Sequence, residues 1–219
     1  KAMLETGVKP DFITVDGGEG GTGAAPLEYS NSVGFPLREA LAFVDDVLTG
    51  FGFREDIKVI AAGKIFTAFH MVQNLSLGAD LCNSARGMML ALGCVQSLSC
   101  NTNTCPTGVA TQDPKLSKGL DPTDKGERVR NYHHKTVESL MDILSSTGHS
   151  SPDRLNRTHI FRRVNQSEVK RYDEIFPLVK RASLLEDDLP ESLRLHFMEA
   201  SADSFMPSSH LADIEKETK

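Results

Sequence analysis

Ile57-Lys-Val-Ile-Ala-Ala-Gly-Lys64 decides the fold. Apart from Lys58, its first six residues are β-branched or small, the run is of strand length, and Gly63-Lys64 supplies a turn. A helical pattern from Phe66 to Leu77 follows and stops at Gly78. The same order recurs on both sides. Upstream, Asp11-Phe-Ile-Thr-Val-Asp16 is a strand, followed by a glycine-rich loop over Gly17–Gly23. Leu37, Ala40, Leu41, Val44, Val47 and Leu48 then recur at helical spacing up to Gly50. Downstream, Ala79-Asp-Leu-Cys-Asn-Ser84 is the third strand. Ala85-Arg86-Gly87 leads into a helix through Met88, Met89, Leu92 and Val95. Three strand–loop–helix units in succession predict parallel strands with right-handed connections in an α/β protein. Before them, Lys1–Thr6 reads as the end of a helix closed by Gly7. A chain that opens on Lys1 inside a helix leads us to expect residues upstream.

After Asp113 the texture changes. Residues 114–126 are polar and carry two prolines, which predicts a surface segment. Gly126–Ser146 is a helix with Val137, Leu140, Met141 and Leu144 on one face. Ser151-Pro152-Asp153 opens a short helix and Gln166–Phe176 forms another. His133 and His134 are adjacent, so on a helix they diverge and suit a solvated face better than a shared metal. The last 35 residues are acidic, with few aromatics, and read as an appendage or a partly disordered tail.

Bulk composition excludes several classes. The chain has 219 residues, 39% hydrophobic and 25% charged, as in an ordinary globular protein. That is short of the roughly 250 residues of a whole (β/α)8 barrel. A net charge of −6 argues against nucleic acid or an anionic membrane as partner. No apolar run approaches the roughly 18 residues of a membrane span. Four cysteines in such a chain do not form a secreted disulfide framework, so a cytoplasmic protein is expected.

Two motifs carry chemistry. Gly18-Glu-Gly-Gly-Thr-Gly23 satisfies G-x-G-x-x-G after a strand, the dinucleotide fingerprint. The helix that should open at once is delayed to about Leu37, and the acidic candidate, Glu39, lies inside that helix rather than at a strand end. A Rossmann site is therefore rejected. Close approach of backbone amides to a planar or anionic ligand remains, beside the plain alternative of a tight turn. The second motif is Cys94, Cys100 and Cys105, spaced C-x5-C-x4-C with Pro106 next. Thiolates suit iron–sulfur clusters or zinc. With no fourth Cys or His at zinc spacing, a three-cysteine cluster fits better. Asn101-Thr-Asn-Thr104 is too polar for these to be buried core thiols. Cys82, on a strand, reads as a small packed residue.

Asp16-Gly-Gly-Glu-Gly-Gly-Thr-Gly-Ala-Ala-Pro26 resembles the glycine loop of the synthase domain of glutamate synthase. Residues 94–113, CVQSLSCNTNTCPTGVATQD, resemble that family's iron–sulfur loop. Ala61-Ala62-Gly63-Lys64 and Asn83-Ser84-Ala85-Arg86-Gly87 extend the likeness over about residues 1–115. The resemblance implies the C-terminal part of a (β/α)8 TIM-type barrel, strands six to eight, over 1–115. A helical extension over 116–180 and an acidic tail over 181–219 would follow. It implies FMN held by Gly18, Gly20, Gly21, Gly63, Lys64, Ala85, Arg86 and Gly87, and a [3Fe-4S] cluster held by Cys94, Cys100 and Cys105. Some relatives have Gly-Gly where Gly63-Lys64 stands, so Lys64 either grips phosphate or faces solvent. Glu19 would handle protons or guide ammonia, or else be a loop carboxylate.

The implied activity is reductive amination of 2-oxoglutarate to glutamate. An electron-donor protein or reductase subunit and the missing N-terminal barrel half would be partners. An N-methylglutamate synthase-like component, or a non-catalytic electron-transfer or interaction fragment, is the alternative. With strands one to five absent, the isolated chain is not expected to turn over.

Overall fold

The computed structural model describes residues 1–18, 26, 28–29, 32–186 and 189–206. Glu19, Gly20 and Gly21 lie outside the described residues. Helix α1 (Ala2–Thr6) ends at Gly7, whose φ of 69° is the left-handed cap its position demands. Strands β1 (Phe12–Asp16), β2 (Lys58–Ala62) and β3 (Leu81–Asn83) form one parallel sheet in sequence order. The register pairs Thr14 with Ile60 and Ile60 with Leu81. One layer up it pairs Asp16 with Ala62 and Ala62 with Asn83. The connections are the predicted helices, α2 (Leu37–Gly50) and α3 (Ala68–Ser76), and α4 (Ala85–Leu92) follows β3. The chain is thus a mixed α/β protein built on a parallel sheet.

Strand alternation sorts the side chains. Val15, Val59 and Ala61 are buried with Leu41, Ala68 and Val72 of α2 and α3. Phe12 and Leu81, on the opposite face, are 58% and 56% exposed. Among the described residues that face is uncovered, and the outer edges of β1 and β3 have no strand partner.

Helix α5 (Pro122–Ser146) starts earlier than expected. Asp121 caps it by accepting the Thr123 N–H at 2.9 Å, and Pro122 takes the first helical position, where its missing N–H costs nothing. The polar segment over 114–126 therefore ends in helix. Leu140 and Leu144 of α5 enter the core, and Tyr132 donates to the carbonyl of Phe66 at 2.7 Å. His134 lies on the solvated face, 3.0 Å from Glu138.

The helix expected over Gln166–Phe176 is instead a strand followed by a single helical turn. Strands β4 (Phe161–Arg163) and β5 (Val169–Arg171) pair antiparallel, and α6 (Tyr172–Ile175) follows. Asn165 makes the turn, accepting from the Ser167 N–H at 3.0 Å, a local bond that outcompetes helix. Helix α4 likewise stops at Leu92, before Val95, because Gly93 takes φ 104°. The last expected segment contains α7 (Glu191–Glu199), whose Leu193 is buried with Phe51 and Leu184.

One buried cation ties this C-terminal region to the sheet layer. Arg157, 1% exposed, donates to Asp45 at 3.1 Å and pairs with Asp46 at 2.8 Å. It also donates to the carbonyls of Ala42, Phe176 and Pro177. Arg54 continues the network, bonding Asp45 at 2.7 Å and Asp80 at 3.0 Å.

Candidate functional site

The carboxyl ends of all three strands open into one cavity of about 490 Å3. Asp16, Ala62 and Asn83, the last residues of the strands, form its floor. Gly63, Lys64, Ala85 and Arg86 line it from the two following turns, and Cys94, Cys100 and Cys105 line it from the loop after α4. Parallel α/β sheets place ligands at this end of their strands because each strand there feeds a loop and a helix N-terminus.

The two turns are built to approach closely. Gly63 has φ 144° and Lys64 has φ 47°, a left-handed conformation that strains a residue with a side chain. Ser84, at the N-cap of α4, donates its hydroxyl to the carbonyl of Ile65 at 2.6 Å and accepts no N–H of its own helix. That bond joins the turn after β3 to the one after β2, and no side chain caps the first turn of α4. Its N–H groups and the dipole end suit an anion.

Gly87 does not line the cavity. It is buried against α5, and a Cβ there would meet the Tyr132 hydroxyl at 2.2 Å. Close packing of α4 on α5 is the reason for a glycine. Gly18 is also outside the cavity lining. It has φ 60°, donates to Asp16 Oδ1 at 3.0 Å, and lies so close to Gly34 that a Cβ would stand 2.5 Å from its Cα. Gly18 and Gly34 permit this close backbone crossing. Asp16 is a lining residue that motif reading passed over. Its position as the last strand residue before the glycine loop is the signal that finds it.

The cysteine loop is held by its own polar residues. Asn103 Oδ1 accepts the Gln112 N–H at 2.6 Å, and its carbonyl accepts the Thr111 hydroxyl at 2.6 Å. Thr102 and Thr104 bond each other at 2.7 Å. Asn101 to Thr104 are exposed staples, which accounts for their polarity. Gln96, Leu98 and Asn103 all adopt positive φ, at 54°, 56° and 62°. Such conformations cost about 1 kcal/mol or more each and collect where a loop serves a ligand.

All four cysteines are free. The Cys105 thiol is drawn down to about 7, chiefly by the Thr107 hydroxyl at 3.5 Å and then by the backbone N–H of Ala110, which outweigh its burial. It is therefore substantially thiolate at neutral pH, the form that binds metal. Burial pushes Cys82 the other way, to about 12, and it packs against the core. Among the described residues no three Cys, His, Asp or Glu side chains converge on one point as a single ion requires. A cluster asks something different: each thiolate binds its own iron, so the thiols must share a space, not a point. Three soft donors on one cavity wall, one of them with its pKa drawn down, fit that group.

An α/β protein with a strand-end cavity and a thiol-lined loop is the class these features define. A family model described as a conserved region in glutamate synthase matches residues 2–150. The chain is 43% identical over 173 residues to the glutamate synthase large subunit-like protein YerD of Bacillus subtilis, covering 79% of this chain and 33% of that protein. It is 37% identical over 145 residues to the archaeal glutamate synthase [NADPH] of Methanocaldococcus jannaschii, covering 66% and 28%. It is 32% identical over 147 residues to the glutamate synthase [NADPH] large chain of Bacillus subtilis, covering 66% and 9%. The chain belongs to the glutamate synthase family, and it spans about a third or less of the length of these relatives. No helix among the described residues is long and apolar enough to cross a membrane.

Proposed function

We propose that this chain is the cofactor-holding C-terminal part of a flavin- and iron–sulfur-dependent glutamate synthase-type oxidoreductase, which reductively aminates 2-oxoglutarate to glutamate. The observation that carries the reading is the single cavity lined jointly by Gly63, Lys64, Ala85, Arg86 and the three cysteines. The turns at Gly63-Lys64 and Ala85-Arg86, with the open N-terminus of α4, hold the FMN phosphate. Arg86 adds a charge-assisted bond and Lys64 a second charge. Cys94, Cys100 and Cys105 hold a [3Fe-4S] cluster beside it. When bound, FMN supplies hydride to the imine carbon and the cluster supplies single electrons.

In this reading β1, β2 and β3 are strands six to eight of a (β/α)8 barrel. Support comes from the uncovered face bearing Phe12 and Leu81 and from the unpaired strand edges. It comes also from the length of the relatives beyond the matched stretch. The remaining strands close the barrel, shut water out of the cavity and bring the groups that hold 2-oxoglutarate. Residues 1–115 form the barrel part, with 116–180 and 181–219 added to it. Glu19 handles protons or guides ammonia at the strand-six loop, with Gly20 and Gly21 beside the flavin. Electrons come from a donor protein or reductase subunit in the cytoplasm, with NADPH, the donor of the Methanocaldococcus jannaschii and Bacillus subtilis glutamate synthases, as their source.

The test is cofactor content of the full-length protein. The expected result is about one FMN and three irons per chain. Arg86→Gln should lower FMN retention, and replacement of any one of the three cysteines by alanine should lower iron. A folded, colourless protein containing neither would leave a non-catalytic interaction fragment as the better reading. An assay with methylamine in place of ammonia separates an N-methylglutamate synthase-type activity.

A further inference from the structure

A second cavity, also about 490 Å3, lies behind the Gly63-Lys64 turn, outside the sheet. Arg38 and Glu39 reach it from the first turn of α2, and His70, Gln73 and Asn74 reach it from α3. Arg162 closes it from β4. Its charges are not those of a self-satisfied surface network. Arg38 spends a contact on neutral Gln73, at 3.1 Å, and Arg162 stands off from Glu39 at 3.6 Å, longer than a charge-assisted hydrogen bond. His70 accepts the Phe66 N–H on Nδ1 at 3.3 Å, so its proton sits on Nε2. Burial and the charge of Arg38 lower its pKa and keep it neutral. Arg38 and Arg162 against Glu39 then leave an excess of positive charge.

One buried acceptor in the lining of this cavity lacks a partner among the described residues. Asn74 is 5% exposed and donates through Nδ2 to the His70 carbonyl at 2.7 Å, which fixes Oδ1 as an acceptor with no donor. An orphaned buried acceptor costs stability unless something donates to it.

We propose that this cavity binds a small dicarboxylate carrying one N–H or O–H donor, the class of acidic amino acids and hydroxy-dicarboxylates. Its two carboxylates answer Arg38 and Arg162, and its donor answers the accessible carboxylate of Glu39, with Asn74 behind it. The site belongs to the C-terminal region as much as to the sheet, because Arg162 comes from the β4–β5 hairpin. Gly63, Lys64 and Phe66 wall both cavities, so occupancy here bears on the turn that faces the strand-end cavity.

The test is calorimetric titration of the full-length protein with four probes: L-aspartate, L-malate, succinate and inorganic phosphate. The readout is binding heat, so it stands apart from flavin, iron and turnover. L-aspartate or L-malate should bind about tenfold tighter than succinate, which lacks the donor, and than phosphate. Arg162→Gln, a change on a half-exposed side chain, should weaken that binding about tenfold, as should Arg38→Gln. Three results overturn the proposal: succinate or phosphate binding as tightly as the other two, affinity unchanged in both arginine variants, or no heat from any probe at millimolar concentration.

Discussion

The hydroxyl of Ser84 and the carbonyl of Ile65 are joined at 2.6 Å, and this one bond fixes the turn after β3 against the turn after β2. Both turns line the strand-end cavity. Ser84→Ala should cost about 1 kcal/mol in stability, the usual net value of such a bond. It should also loosen FMN binding in the full-length protein without changing its iron content. Flavin retention on dilution, measured beside iron, checks this, and equal loss of both would contradict it.

Thr107 acts on Cys105 in a way that titration reveals. The folded thiol ionises at about 7, against 9.0 for the free group, with the Thr107 hydroxyl as the largest cause. A lowered pKa means that the folded state favours the thiolate. The stability this group contributes is present above pH 9.0 and is lost as pH falls through about 7. Thr107→Val should raise the midpoint of thiolate absorbance in the iron-free protein. A midpoint that does not move assigns the effect to the backbone N–H groups instead.

Arg157 is the largest of the fully buried side chains, and it meets two carboxylates and three carbonyls. Arg157→Leu removes the donor those acceptors share, leaving Asp45 with Arg54 alone, and should destabilise by about 3–5 kcal/mol, read as a shift in the urea midpoint. Asp46 shows the opposite sensitivity to pH from Cys105. Burial, opposed by Arg157, raises its carboxyl above 3.8. Its contribution to stability is full below pH 3.8 and declines as pH rises through the folded pKa. Asp46→Asn removes the decline, so the variant should gain on the wild type as pH rises through that range.

Gly87 and Tyr132 offer a paired test of helix packing. A Cβ at 87 would stand 2.2 Å from the Tyr132 hydroxyl. Gly87→Ala should cost about 1–3 kcal/mol through overpacking. Tyr132→Phe removes the nearest atom and should recover part of that cost, giving a non-additive cycle. Full additivity would mean the two helices do not press together here.

The sheet was legible because β-branched runs and glycine stops repeat in a fixed order, and helix ends such as Gly7 follow from conformational need. Pro122 misled because proline reads as a break, whereas after Asp121 it starts α5. The β4–β5 hairpin was illegible: Phe161-Arg-Arg163 and Val169-Lys-Arg171 are short and charged, and their pairing depends on the Asn165 turn. In the site, the spacing of Cys94, Cys100 and Cys105 was plain. Their meeting with Gly63 and Arg86 in one cavity is a matter of long-range packing, which spacing does not encode. The role of Gly87 went unseen for the same reason, since Tyr132 lies 45 positions away.

The family match stops at residue 150, yet Leu155, Ile160 and Tyr172 are buried in the same cluster as Val59 and Leu41. A cut made at residue 150 would pass through oil, not water. The border of the family model and the unit that must hold together to fold differ, and the 173-residue likeness to YerD runs past residue 150 as well. A truncation at residue 150 would therefore bare the apolar surface that Leu155, Ile160 and Tyr172 now cover.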